Sequence, residues 1–86
     1  MFEVKYKLAA AGEIATVSIY NDQGVLIKKL LNNFTLNAEG TFIWDGLNEQ
    51  NQLATVGIYL VNAEIFNLAG KIKRYKKSFA LVSKFN

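Results

Sequence analysis

Gly40-Thr41-Phe42-Ile43-Trp44-Asp45-Gly46 is the stretch that decides how this chain is read. Phe42 and Trp44 stand two residues apart, so on an extended backbone they share one face, and the Asp-Gly pair closes the strand with a turn. Trp44 is the only tryptophan among 86 residues. One large ring on a short strand is the natural centre of a small core. Tyr20, Tyr59 and Phe42 are its expected companions.

Working outward toward the N-terminus, Phe2, Val4, Tyr6 and Leu8 alternate with Glu3, Lys5 and Lys7, the period of a strand with one buried and one wet face. Ile14-Ala15-Thr16-Val17-Ser18-Ile19-Tyr20 is rich in β-branched residues and reads as a second strand. Asn21-Asp22-Gln23-Gly24 is a tight turn into a third, Val25 to about Leu31, which completes a hairpin. The polar connection from Asn32 to Gly40 holds Phe34 and Leu36 and is long enough to cross from one sheet to another.

Beyond Trp44, the run from Asp45 to Gln52 is a loop by composition, and Gly57 opens a strand from Ile58 to about Asn67. Tyr59, Val61, Ala63 and Ile65 share one face of it. Asn67-Leu68-Ala69-Gly70 is another turn, and the last strand runs from Lys71 to about Val82. Between Lys73 and Lys77 both faces carry cations, which suits an exposed edge, whereas Phe79-Ala80-Leu81-Val82 is continuously apolar and is expected to be buried. About seven short strands without proline or helical period predict an all-β fold: a single antiparallel sandwich, residues 1–86, of immunoglobulin or fibronectin III type. A chain that enters a strand at its second residue reads as a fragment of a larger protein, and the resemblance described below implies that it is the C-terminal one.

Composition limits the function classes. The chain has no cysteine and no histidine, which removes disulfides, thiolate metal sites and the commonest general bases and nucleophiles. Its seven acids are scattered singly, and Asp45 and Glu49, the closest pair outside the strands, have no cleft to face in so small a sandwich. We therefore expect no enzyme activity, no cofactor and no small-molecule substrate. The oxygen-rich loop from Asp45 to Gln52 fails the spacing of a calcium-binding EF-hand, since Leu47 takes the third position and Gly46 comes too early. It reads as a solvated turn. No apolar run approaches the roughly 18 residues a membrane helix needs, and no signal peptide is visible.

The net charge of +3 is unevenly placed. Lys71, Lys73, Arg74, Lys76 and Lys77 put five cations into seven residues, and the rest of the chain has five basic and seven acidic residues. Tyr75 is the only aromatic within that run, which disfavours nucleic acid, whose sites interleave stacking rings with cations. Lysines that guard a sheet edge against strand pairing account for the same pattern. Trp44, Tyr20 and Tyr59 would form a sugar-binding platform only if they were coplanar and exposed.

Val17-Ser18-Ile19-Tyr20-Asn21-Asp22-Gln23-Gly24 and Glu39-Gly40-Thr41-Phe42-Ile43-Trp44-Asp45-Gly46 have a recognisable order and spacing. So do Ala54-Thr55-Val56-Gly57-Ile58-Tyr59 and Asn67-Leu68-Ala69-Gly70-Lys71, followed by Lys73-Arg74-Tyr75-Lys76-Lys77. Together they resemble the Ig-like C-terminal sorting module of large proteins exported by the type IX (Por) secretion system, similar in fold to the Ig-like domain of the flagellar hook-capping protein. The resemblance covers nearly the whole chain. It also extends to the endings of surface proteins that carry lamin-tail domains. Asn51 departs from it, standing where glycine is usual, and Asn21 and Asn48 stand where aspartate is common.

The resemblance implies a non-catalytic sorting signal at the C-terminus of a secreted or cell-surface protein of a Gram-negative bacterium. Its partners would be the outer-membrane export machinery and the upstream domains of the parent protein. The residues it points to are Lys71, Lys73, Arg74, Lys76 and Lys77 on the last strand, and Lys84 within Ser83-Lys84-Phe85-Asn86. A structural or adhesive spacer module is the alternative, with a carbohydrate-binding accessory domain behind it.

Overall fold

A computed structural model describes residues 2–82. It contains six strands: β1 (Phe2–Lys7), β2 (Ile14–Asn21), β3 (Leu26–Thr35), β4 (Glu39–Trp44), β5 (Gly57–Phe66) and β6 (Ile72–Leu81). They form two antiparallel sheets, β1-β4 and β3-β2-β5-β6, and the chain is an all-β sandwich. Six strands stand where about seven were expected. The stretch between β4 and β5 contributes only an isolated bridge between Leu47 and Leu53.

Alternation along β2 and β5 builds the core. Ala15, Val17 and Ile19 on β2 are buried, as are Tyr59 and Val61 on β5, and Trp44 on β4 closes over them from the smaller sheet. Leu36 completes this group from the crossover between β3 and β4. It is anchored there because its amide donates to the Glu13 carbonyl at 2.7 Å and its carbonyl accepts from Gly12 at 2.9 Å. Phe34, two residues earlier, is 52% exposed.

Trp44 is fully buried, and its indole Nε1–H donates to the Leu47 carbonyl at 2.9 Å, so the ring's polar atom costs nothing to desolvate unpaired. Edge-on contacts join it to Tyr59 (ring centroids 5.4 Å apart) and Phe79 (5.8 Å), and Phe79 in turn stacks on Phe2 at 3.9 Å. The Tyr59 hydroxyl donates to the Thr55 carbonyl at 2.6 Å, a bond back to the preceding loop like the tyrosine corner of immunoglobulin-type sandwiches. Across the small sheet, the Tyr6 ring lies over Gly40, where an added Cβ would come within 2.7 Å of its hydroxyl.

Three expectations need correction. Tyr20 is half-buried and outside the core, because Val17 and Ile19 set the inward parity of β2 and leave Tyr20 on the opposite face. The run from Phe79 to Val82 is not buried throughout: Phe79 and Leu81 pack inward, Ala80 is exposed, and Val82 is 69% exposed. Finally, β3 extends to Thr35 instead of stopping near Leu31. Asn33 adopts φ 51°, and the β2–β3 register shifts between Ala15 and Val17, so the two asparagines form a bulge and the strand resumes. Phe42, as expected, packs against the core, although only partly buried.

Trp44→Ala is expected to cost about 3–5 kcal/mol through the cavity it leaves, whereas Tyr20→Ala on the outer face costs clearly less. Urea denaturation of the two variants checks this. Equal losses would remove Trp44 from its central place.

Candidate functional site

The four-stranded sheet has two edges, and the chain treats them differently. At β3 the 45–52 loop docks on the edge: the Glu49 amide donates to the Ile27 carbonyl at 3.1 Å, and the Lys29 amide donates to Glu49 Oε2 at 3.3 Å. An ion pair between Lys28 and Glu49 at 3.4 Å reinforces the contact. Main-chain groups that would otherwise invite another strand are thus engaged. Among the described residues no strand pairs with the outer edge of β6, and every residue from Ile72 to Ser78 is exposed.

Register divides the cations of β6 between two faces. Lys73, Tyr75 and Lys77 stand opposite Ile65, Ala63 and Val61 and continue the inward row of Phe79. Arg74 and Lys76 stand opposite Glu64 and Asn62 on the outer face. Arg74 Nε donates to Glu64 Oε2 at 2.8 Å, so this cation is already partnered. Lys71 lies exposed in the turn before β6, and Lys84 lies outside the described residues. The structure brings Lys73, Lys76 and Lys77 to one free edge, with Arg74 tied back.

Putting lysines on an inward row has a cost in closure. An ammonium group must stay in water while its stem lies along apolar surface, so the small sheet cannot close over β6 beyond Phe79. A groove of about 450 Å³ opens there between β1 and β6. Val61, Ala63 and Ile65 line it from β5, Val4 and Tyr6 from β1, and Lys5, Lys7, Lys76 and Lys77 stand around it. The signal was present in the parity that Lys73 and Lys77 share with Phe79. A second, more open depression on the outer face is lined by Tyr20, Leu60, Asn62 and Lys76, and the buried Asn62 Oδ1 has no hydrogen-bond partner among the described residues.

The asparagine loops are structural. Asn21 Oδ1 accepts from Gln23 and Val25, Asn48 Oδ1 from Gln50 and Gln52, and Asn67 Oδ1 from Ala69 and Lys71, all at 2.9–3.0 Å. These are three copies of one turn. Its fourth position needs a left-handed backbone, supplied by Gly24 (φ 80°), Gly70 (φ 81°) and, in the middle copy, Asn51 (φ 61°). Asn51 therefore replaces the usual glycine without changing the turn, since asparagine tolerates that region better than most residues. Asp45 accepts from the Leu47 amide, so both carboxylates of the 45–52 loop hold main chain. Among the described residues no group of three or more acids could hold a metal ion, and no helix is long and apolar enough to cross a membrane. Of the three rings expected for a sugar-binding platform, Trp44 and Tyr59 are buried and Tyr20 is half-buried, so the three do not form an exposed platform.

No family model and no curated protein matches the chain. A solved structure of FlgD from P. aeruginosa is similar to it, with a TM-score of 0.68 over 92% of this chain and 21% sequence identity. The chain spans 60% of that FlgD chain. At this identity the likeness is one of fold, and it agrees with the hook-capping side of the resemblance.

Exchanging Lys73, Arg74, Lys76 and Lys77 together for Gln is expected to change stability by no more than about 1 kcal/mol, since one exposed ion pair is lost. Asn51→Ala is expected to cost about 1–2 kcal/mol for its left-handed backbone, and Asn51→Gly to be tolerated. Thermal melts of the three variants check both statements.

Proposed function

We propose that this domain is a non-catalytic sorting module, which marks a larger protein for type IX export and is read along the free edge of β6. The observation that carries the proposal is the contrast between the two edges of the large sheet. One is occupied by the chain's own loop, and the other is left unpaired with Lys73, Lys76 and Lys77 along it. An open edge offers main-chain hydrogen bonds to an incoming strand, while the cations choose among partners by charge. The export machinery is the partner that the sequence resemblance supplies. A structural spacer is the second reading, and the fold shared with FlgD is compatible with both.

The test fuses residues 2–86 to the C-terminus of a fluorescent protein directed to the periplasm of a type IX-competent bacterium. Release or surface display is expected in that strain and not in a secretion-deficient one, and the fourfold Gln variant is expected to stay in the periplasm while remaining folded. Retention of the unaltered, folded fusion in both strains would leave the spacer reading in possession.

A further inference from the structure

We infer that the free edge of β6 is a latent contact between two copies of this chain, held apart by the order of charges in Lys73-Arg74-Tyr75-Lys76-Lys77. The inference goes beyond the sorting reading and stands without it. Apart from its charge, the edge is fit to pair. β6 runs for 10 residues without proline, keeps an unbroken register with β5, and among the described residues is bonded to β5 alone. Such a strand presents a row of main-chain donors and acceptors to any neighbour. The β3 edge of the same sheet is covered by the loop that carries Glu49, so growth through β6 would stop at a pair of copies instead of running on as a fibre.

Two identical strands meet in a continuous antiparallel sheet only about a two-fold axis normal to it, and that axis keeps each face of the sheet on its own side. Inward residues must then face inward residues, and outward residues outward ones. The exposed stretch from Ile72 to Ser78 is centred on Tyr75. About that centre Lys73 of each copy lies opposite Lys77 of the other, and Arg74 opposite Lys76, so like charges face one another on both sides of the seam. Like charges directly opposite destabilise a strand pair, whereas the remaining pair, Tyr75 with Tyr75, is of a kind that sheets favour.

Other registers do not escape. A centre at 73, 74, 76 or 77 sets that cation against its own copy, and a centre at Ser78 leaves Ile72, Lys73 and Arg74 beyond the end of the copy's strand. Lys73, Lys76 and Lys77 have no ion-pair partner among the described residues to soften the repulsion, and only Arg74 is held, by Glu64. Read by charge, the five residues are the same in either direction. A two-fold axis therefore always returns cation to cation, and the edge is left to strands of other sequence.

The test separates the order of the charges from their amount. Lys73→Glu/Lys76→Glu and Lys73→Glu/Lys77→Glu have the same composition and net charge, and both alter only exposed positions. In the first, the carboxylate at 73 faces Lys77 and the one at 76 faces Arg74, so every charged pair about Tyr75 becomes attractive. In the second, carboxylate faces carboxylate and Arg74 still faces Lys76. Sedimentation equilibrium at one protein concentration is expected to give about twice the monomer mass for the first variant, and the monomer mass for the second and for the unaltered chain. Amide hydrogen exchange in the first variant is expected to slow at residues 72–78, and its association to weaken as salt is raised. An unchanged far-UV spectrum shows that each variant is folded. A monomeric first variant, equal association of the two variants, or protection gained outside β6 would each overturn the inference, as would pairing of the unaltered chain through residues 72–78.

Discussion

The burial of one indole is the constraint on which the two sheets depend. Trp44 reaches from the end of β4 onto the face of the large sheet, where Tyr59 and Phe79 meet it edge-on. Its Nε1–H is satisfied by Leu47, just beyond the Asp45-Gly46 turn, so the same residue that fills the core also fixes the start of the following loop. That loop then lies against β3 through Glu49. A hydrophobic anchor, a turn and a covered sheet edge are therefore parts of one arrangement, and loosening the first would disturb all three.

Economy of means is visible in the loops as well. The β2–β3 and β5–β6 hairpins and the 45–52 loop use one solution, an asparagine whose side-chain oxygen accepts two main-chain amides ahead of a left-handed residue. The side-chain oxygens of Asn21, Asn48, Asn67, Asp45 and Glu49, which look like ligand donors in the sequence, are already committed to the backbone. What remains uncommitted lies elsewhere, along β6 and in the groove beside it.

Much of this was legible in the chain. Alternation along residues 2–8, the lone tryptophan and the Asn-to-Gly turns were enough for an all-β sandwich, because each is a local signal of period or turn chemistry. Tyr20 looks like core from sequence because it adjoins buried Ile19, and only parity counted across the whole strand puts it on the other face. The end of β3 is hidden in the sequence because Asn32-Asn33 reads as a break, and only pairing with β2 shows that it is a bulge. The groove could not be read as such. The parity that sets Lys73 and Lys77 in the row of Phe79 lies within seven residues, but that they stand opposite Ile65 and Val61 is set by a register that no short window of sequence contains.

The stacking of Phe79 on Phe2 joins the last strand to the first. In vectorial synthesis β1 leaves the ribosome early, yet its sheet waits for β4 and its aromatic contact waits for β6. Such long-range pairings make for slow folding and late commitment. A polypeptide ending before Phe79 would carry the cations of β6 but lack the ring that meets Trp44 edge-on and stacks on Phe2. The cations are thus made before the residues that pin their strand to the core, Phe79 and Leu81, so the basic edge is held in place only once synthesis has run on to the end of β6.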